Sequence, residues 1–170
     1  FPYTTLFRSH LTEPSEIMEI VMQSGVTTIQ LHGGSSPEQV LDLRDLMPQN
    51  SKLIVAIHVS EDSISPSIED YYKLVDAFLL DSADRAKGMV GGTGTTHNWN
   101  LSAEIVKKSP LPVILAGGLN PDNVASAIDS VRPFGVDANS GLKDPSGSRC
   151  PSLCSAFVRN AKEAWLRLRA

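Results

Sequence analysis

Two hydrophobic patterns alternate along this chain. Short runs of β-branched and aliphatic residues are separated by stretches in which apolar positions recur every three or four residues. In TEPSEIMEIVMQSG, residues 12–25, Ile17, Ile20 and Val21 share one helical face, and Gly25 closes the helix. Val26 to Leu31 then reads as a short strand. The next helix has Ser36 as N-cap, Pro37 at its first helical position and Gln39 completing a capping box. Its stripe is Val40, Leu43 and Met47, and Pro48 stops it. Lys52 to Val59 is nearly continuous apolar, as a strand buried on both faces would be. Ser65-Pro66 predicts a further helix carrying Tyr72 and Val75 toward a strand from Ala77 to Ser82. A glycine-rich loop leads to a helix through Leu101, Ile105 and Val106, and Pro112 to Gly118 is the next strand. Asn120-Pro121 repeats the cap-plus-proline start of a helix running to Val131. Phe134 to Asn139 is the last strand, and Leu153, Phe157, Ala161 and Trp165 stripe the final helix.

The pattern therefore predicts five strands, each followed by a helix, with one more helix ahead of the first. Strands alternating with helices argue for parallel βαβ units, in either a doubly wound sheet or a (β/α)8 barrel. No linker, charge block or low-complexity stretch marks a second domain, and 170 residues suit one. An apolar fraction of 41% and a charged fraction of 20% are those of an ordinary globular protein. A net charge of −4 without a basic run argues against nucleic acid and anionic membranes as partners. No apolar run reaches the roughly twenty residues that span a bilayer. Cys150 and Cys154, four apart, fit neither a zinc pattern nor a redox pair and suit a reducing compartment. A cytoplasmic location is the expectation.

Polar residues and glycines gather just past the C-terminal ends of the strands. They are Gln30-Leu31-His32-Gly33, Asp81-Ser82, Gly91-Gly92-Thr93-Gly94, Gly117-Gly118 and Asp137-Ala138-Asn139-Ser140-Gly141. In a barrel that face holds the active site, and glycine turns after the last strands commonly form a phosphate pocket. Glycine lets backbone N–H groups approach an anion closely. Asp81 ends the strand AFLLD, either as a strand-end cap or as a general acid at the barrel mouth. His32 is either a ligand-facing donor or a satisfied strand-end histidine. His58, inside an apolar strand, reads as core. His97 lies just before a helix start, and Cys150 reads as a small buried or capping residue at the start of the last helix. No histidines and carboxylates have metal-ligand spacing, so no metal is expected.

These turns, in this order, resemble the phosphoribosylanthranilate isomerase family of tryptophan biosynthesis. The resemblance rests on Gln30 to Gly33, Leu79 to Ser82, the GGTG loop followed by Trp99, Leu115 to Val124, and Val136 to Gly141. It implies a partial (β/α)8 barrel in which this chain supplies units four to eight plus helix three. It also implies that the family's first strand, whose Lys-Ile-Cys-Gly motif carries the catalytic base, lies upstream of this sequence. On this resemblance Asp81 is the general acid of an Amadori rearrangement, and Gln30 and His32 bind substrate. Gly92, Thr93, Gly94, Gly117, Gly118, Ser140 and Gly141 hold its phosphate. The implied partner is a small phosphosugar, with no cofactor, because the substrate nitrogen serves as electron sink. Three departures stand out. The chain has Thr95-Thr96-His97-Asn98-Trp99 for the usual Lys-Thr-Phe-Asp-Trp, Leu142-Lys143 for Val-Glu, and Arg149-Cys150 for Lys-Asp. They leave open a paralogue acting on a related phosphosugar, or a phosphate-binding barrel without catalysis.

The opening FPYTTLFRS follows none of these periods. Tyr3, Thr4, Thr5, Leu6 and Phe7 are good β formers, so a strand is one reading. It lacks the apolar core of a secretory signal. The string is also the translation of TTT CCC TAC ACG ACG CTC TTC CGA TCT, which resembles a sequencing-adapter end. On that reading residues 1–9 are a non-native segment, and residues 10–170 are the C-terminal part of a single barrel domain.

Overall fold

The computed structural model of the chain describes residues 6–32, 34–59, 64–84, 89–90 and 99–169. The strands are β1 (Leu6–Ser9), β2 (Thr28–Leu31), β3 (Lys52–Val59), β4 (Ile64–Ser65), β5 (Ala77–Asp84), β6 (Met89–Val90), β7 (Val113–Leu115) and β8 (Gly135–Val136). The helices are α1 (Pro14–Ser24), α2 (Pro37–Leu46), α3 (Trp99–Lys108), α4 (Val124–Val131) and α5 (Pro151–Arg169). The chain divides into one unit of Phe1–Ile57 with Ser65–Leu79, and another of His58–Ile64 with Leu80–Ala170.

In the first unit the hydrogen-bonded strand order is β1-β2-β3-β5. The β1–β2 and β2–β3 pairs are parallel, with Arg8 beside Gln30 and Ile29 beside Leu53. Leu6–Ser9 forms a strand; of the β formers named for this segment Leu6 and Phe7 lie in it, and Tyr3, Thr4 and Thr5 lie outside the described residues. Helices α1 and α2 pack together, burying Ile17, Val21, Val40 and Leu43. The predicted capping box is present. The Gln39 amide donates to Ser36 Oγ, and the Ser36 amide donates to Gln39 Oε1 at 2.9 Å. Gly25 ends α1 in the left-handed region, φ 68°, where its N–H reaches the Val21 carbonyl. In β3 every side chain from Leu53 to Ile57 is buried, so both of its faces are covered. At the start of that strand Asp76 collects Arg44 Nη1 (2.9 Å), Lys52 Nζ (2.8 Å) and the Leu53 amide (2.9 Å).

The α-helix predicted from Ser65-Pro66 is absent; one 3-10 turn, Glu69–Tyr71, stands in its place. Of the two residues the helical pattern named, Val75 is buried but Tyr72 is only half-buried; the tight turn puts Ile68 and Tyr71 inside instead. Tighter bonds achieve this, from Tyr71 N to Ile68 O and from Leu74 N to Tyr71 O. Tyr71 is held through its hydroxyl, which donates to the Ser35 carbonyl at 2.8 Å, and Asp76 is held by its ion pairs. With both ends fixed by tertiary bonds, the short segment between them winds tightly.

In the second unit the order is β5-β7-β8, with β7 and β8 parallel, Ile114 beside Gly135 and Leu115 beside Val136. The short β6 pairs antiparallel with the end of β5. Helix α4 packs against α3 and α5; Val124, Ala127, Ile128 and Val131 of α4 are buried, as are Ile105 of α3 and Phe157 and Ala161 of α5. Asn120-Pro121 does not open α4. The Asn120 side chain accepts from the amides of Asp122 (2.8 Å) and Asn123 (3.1 Å), which makes a turn, and the helix begins only at Val124. The last two predicted strands are also shorter than read: β7 ends at Leu115 before the left-handed Gly117-Gly118, and β8 ends at Val136.

Candidate active site

In the first unit a polar cluster forms where β1 and β2 end. Residues two apart on a strand share a face, so Gln30 and His32 point the same way. The register adds Arg8 beside Gln30. Arg8 Nη2 lies 3.2 Å from His32 Nδ1, the Gln30 amide contacts His32 Nε2, and the His10 ring tilts against His32 at 5.6 Å. The His32 amide donates to the Ser9 carbonyl at 2.8 Å. Gln30 and His32 are both buried, at 5% and 4% exposure. Arginine only donates, so Nδ1 accepts and the ring proton sits on Nε2. Gln30 then serves it best by presenting its carbonyl oxygen. The arrangement favours the satisfied reading of His32, yet it leaves a row of amide, imidazole and guanidinium groups at one strand end. Arg8 was not among the residues that the sequence pointed to. Only the parallel register brings it in.

In the second unit Asp81 sits near the C-terminal end of β5, 4% exposed, with one oxygen accepting the Ser82 amide at 2.9 Å. The turn after β7 lies against it. Gly117 and Gly118 are both left-handed, φ 84° and 65°. A Cβ on Gly117 would fall 2.7 Å from the Ser82 amide nitrogen. The turn after β8 in turn lies against that of β7, since a Cβ on Gly141 would fall 2.8 Å from Asn120 Cβ and clash with the Leu119 carbonyl. Gly117 and Gly141 therefore serve a role beyond the anion approach expected of them. Their bare Cα atoms let the turn after β7 close on Ser82 of β5 and the turn after β8 close on that of β7. Asn123 braces this stack by donating to the Gly118 carbonyl at 3.0 Å. Ser140–Leu142 is a single 3-10 turn. Among the described residues, the amides of Gly118, Ser140 and Gly141 donate no hydrogen bond. Three backbone donors are thus left available on two touching turns.

Gly33, Gly92, Thr93, Gly94 and His97 lie outside the described residues. Leu142 is buried and packs toward α5, so that departure from the family pattern falls on packing. His58 is half-buried in β3. Cys150 is part-exposed and not buried. Its carbonyl accepts the Cys154 amide in the first turn of α5. Its thiol is held below the usual range by the Ser152 hydroxyl and then by the Leu153 amide. Among the described residues no three His, Cys, Asp or Glu side chains gather into a metal site, and no helix is long and apolar enough to cross a membrane. Arg149 was named in the sequence only as a departure from the family pattern, with no role. It donates to the Ala138 carbonyl (3.5 Å) and to Asn139 Oδ1 (3.3 Å), one and two residues ahead of Ser140.

Comparison with known proteins converges on one family. The family model for N-(5'-phosphoribosyl)anthranilate (PRA) isomerase matches residues 11–160. The N-(5'-phosphoribosyl)anthranilate isomerase 2 of Methanosarcina mazei is 41% identical over 161 residues, covering 95% of this chain and 71% of that protein. Against other relatives the chain spans as little as 59% of their length. The crystal structure of the phosphoribosyl anthranilate isomerase of Thermotoga maritima superposes with a TM-score of 0.74 at 29% identity, over 93% of this chain and 72% of that one. A crystal structure of a phosphoribosyl anthranilate isomerase in complex with reduced 1-(o-carboxyphenylamino)-1-deoxyribulose 5-phosphate gives a TM-score of 0.67 at 28% identity over 93% of this chain and 70% of that one.

Proposed function

The chain belongs to the N-(5'-phosphoribosyl)anthranilate isomerase family, and from that premise we propose that Asp81 and the turns stacked beside it carry the isomerisation in tryptophan biosynthesis. The observation that carries this reading is the second unit's geometry. Asp81 is buried in β5 next to Ser82, the Gly117 turn packs on Ser82, and the Gly141 turn packs on that turn, with the Gly118, Ser140 and Gly141 amides donating no hydrogen bond among the described residues.

The reaction converts an aminoaldose to an aminoketose. Asp81 delivers a proton to the furanose oxygen as the C1–O bond breaks, and the nitrogen lone pair forms the C1=N bond. A base that the described residues do not identify takes the C2 proton; the C–H electrons form the C1=C2 bond, the C1=N electrons return to nitrogen, and an enolamine results. Tautomerisation then leaves a ketone at C2 and a methylene at C1. Atoms and charge balance without a redox partner. The amides of Gly118, Ser140 and Gly141 hold the phosphate, together with Gly92, Thr93 and Gly94, and Gly117 shapes the turn. The resemblance also implies substrate binding by Gln30 and His32, although both ring nitrogens of His32 are engaged within the first unit, by Arg8 and by Gln30. The bound analogue of the solved isomerase carries both a phosphate and a carboxyphenylamino group, which supports a phosphate pocket separate from a site for an aromatic acid.

The test is direct. The complete gene product that contains this chain is given N-(5-phosphoribosyl)anthranilate, and loss of anthranilate-type fluorescence is followed. Steady-state turnover supports the reading. An inert protein, or one that turns over another phosphosugar amine in preference, overturns it.

A further inference from the structure

One sequence motif remains without a role, the DPSGSR segment between the last strand and α5. It forms a tight hairpin. Asp144 Oδ1 accepts from the amides of Ser146 (2.9 Å) and Ser148 (3.1 Å), and the Asp144 amide donates to the Ser148 carbonyl at 2.9 Å. Gly147 takes the left-handed conformation, φ 83°, that the return requires. Lys143 and Arg149 then face each other as an antiparallel bridge, and the Cys150 amide donates to the Leu142 carbonyl at 2.9 Å. The hairpin's effect is to fold Arg149 back onto Ala138 and Asn139, immediately before the Ser140–Gly141 turn.

We propose that Arg149 is a phosphate-positioning residue, set by this hairpin to supply the full positive charge that the glycine turns lack. The inference rests on the phosphate pocket proposed above. Residues 117–120 and 139–142 include no cation, and Asp137 brings a carboxylate to the same strand end. A phosphate monoester carries roughly −1.5 to −2 at neutral pH, so backbone amides alone leave most of that charge unbalanced. Arg149 holds its two carbonyl acceptors at 3.5 and 3.3 Å. These are long bonds, and of its five N–H donors three remain. A guanidinium so placed can exchange them for shorter charge-assisted bonds to phosphate oxygens. Lys143, exposed on the opposite strand of the same hairpin, makes no such contact with the turn.

Wild-type, Arg149→Ala, Arg149→Lys and Lys143→Ala forms of the complete gene product are compared. Arg149→Ala is expected to raise KM about tenfold with kcat within about twofold, as loss of one charge-assisted binding group does. Arg149→Lys restores part of the loss, and Lys143→Ala stays within about twofold of wild type. Inorganic phosphate, titrated by calorimetry, binds Arg149→Ala about tenfold more weakly. That titration needs no turnover. An inert wild type therefore fails the functional reading alone, whereas equal phosphate affinities in wild type and Arg149→Ala overturn the role of Arg149. Equal effects of Arg149→Ala and Lys143→Ala also overturn it, because a general field and not a placed guanidinium would then be acting.

Discussion

Asp81 and Gly141 show how differently single residues serve this site. Asp81→Asn keeps the shape and still accepts the Ser82 amide, but it has no proton to transfer. General acid catalysis contributes about a hundred- to ten-thousandfold, so kcat is expected to fall at least about a hundredfold while KM changes little. Retention of more than about a tenth of wild-type kcat would leave Asp81 as a strand-end cap. Gly141→Ala acts on geometry. Its new methyl meets the Leu119 carbonyl and the Asn120 side chain, and most of what it meets is backbone that cannot swing aside. The turns after β7 and β8 must part, spreading the amides that would hold phosphate. We expect KM to rise severalfold and stability to drop by about 1–3 kcal/mol. A denaturation midpoint and a KM both unchanged in Gly141→Ala would show that the two turns do not press on each other.

Among the elements, α2 owes most to local chemistry. Its capping box satisfies two end groups reciprocally through Ser36 and Gln39, and Pro37 sets the first helical residue. Ser36→Ala removes the side-chain acceptor, which typically costs about 1 kcal/mol. Urea unfolding at neutral pH should show that loss with an unchanged slope, and a change below about 0.3 kcal/mol would mean that packing of Val40 and Leu43 fixes the helix unaided. The segment 66–76 is the contrary case. Its apolar spacing is as helical as that of α2, but Tyr71 and Asp76 are tied to distant residues and the stretch between them winds as a 3-10 turn.

At the scale of the molecule, acid sensitivity should centre on Asp76. Burial raises its carboxyl pKa. The Lys52 ammonium, the Leu53 amide and the Arg44 guanidinium together outweigh burial and hold it below the ordinary 3.8. A carboxyl lowered in the folded state stabilises the fold above its unfolded pKa, and that contribution disappears as pH falls through the folded value. Stability should therefore decline below about pH 3.8, and Asp76→Asn should be less stable at pH 7 yet lose less on acidification. A parallel decline in wild type and Asp76→Asn over pH 5 to 2, read by thermal melting, would place the acid-sensitive group elsewhere.

The repeating strand-and-helix order, the capping box of α2 and the glycine stop of α1 were legible in the sequence, as was the carboxyl of Asp81 in β5, although that strand runs on to Asp84 beyond the end read for it. Each depends on neighbours within a few residues, and periods of 2 and 3.6 record that dependence directly. The residues after β7 and β8 were legible as turns, but the structure decided what their glycines do, because the reason for Gly117 and Gly141 lies on Ser82 and Leu119, far away in sequence. Register alone set Arg8 beside Gln30. A hairpin return alone set Arg149 beside Asn139. The missing helix at 66–76 has the same origin, since hydrogen bonds to distant partners outweigh a local pattern, which placed Val75 inside correctly but named Tyr72 where the structure buries Tyr71.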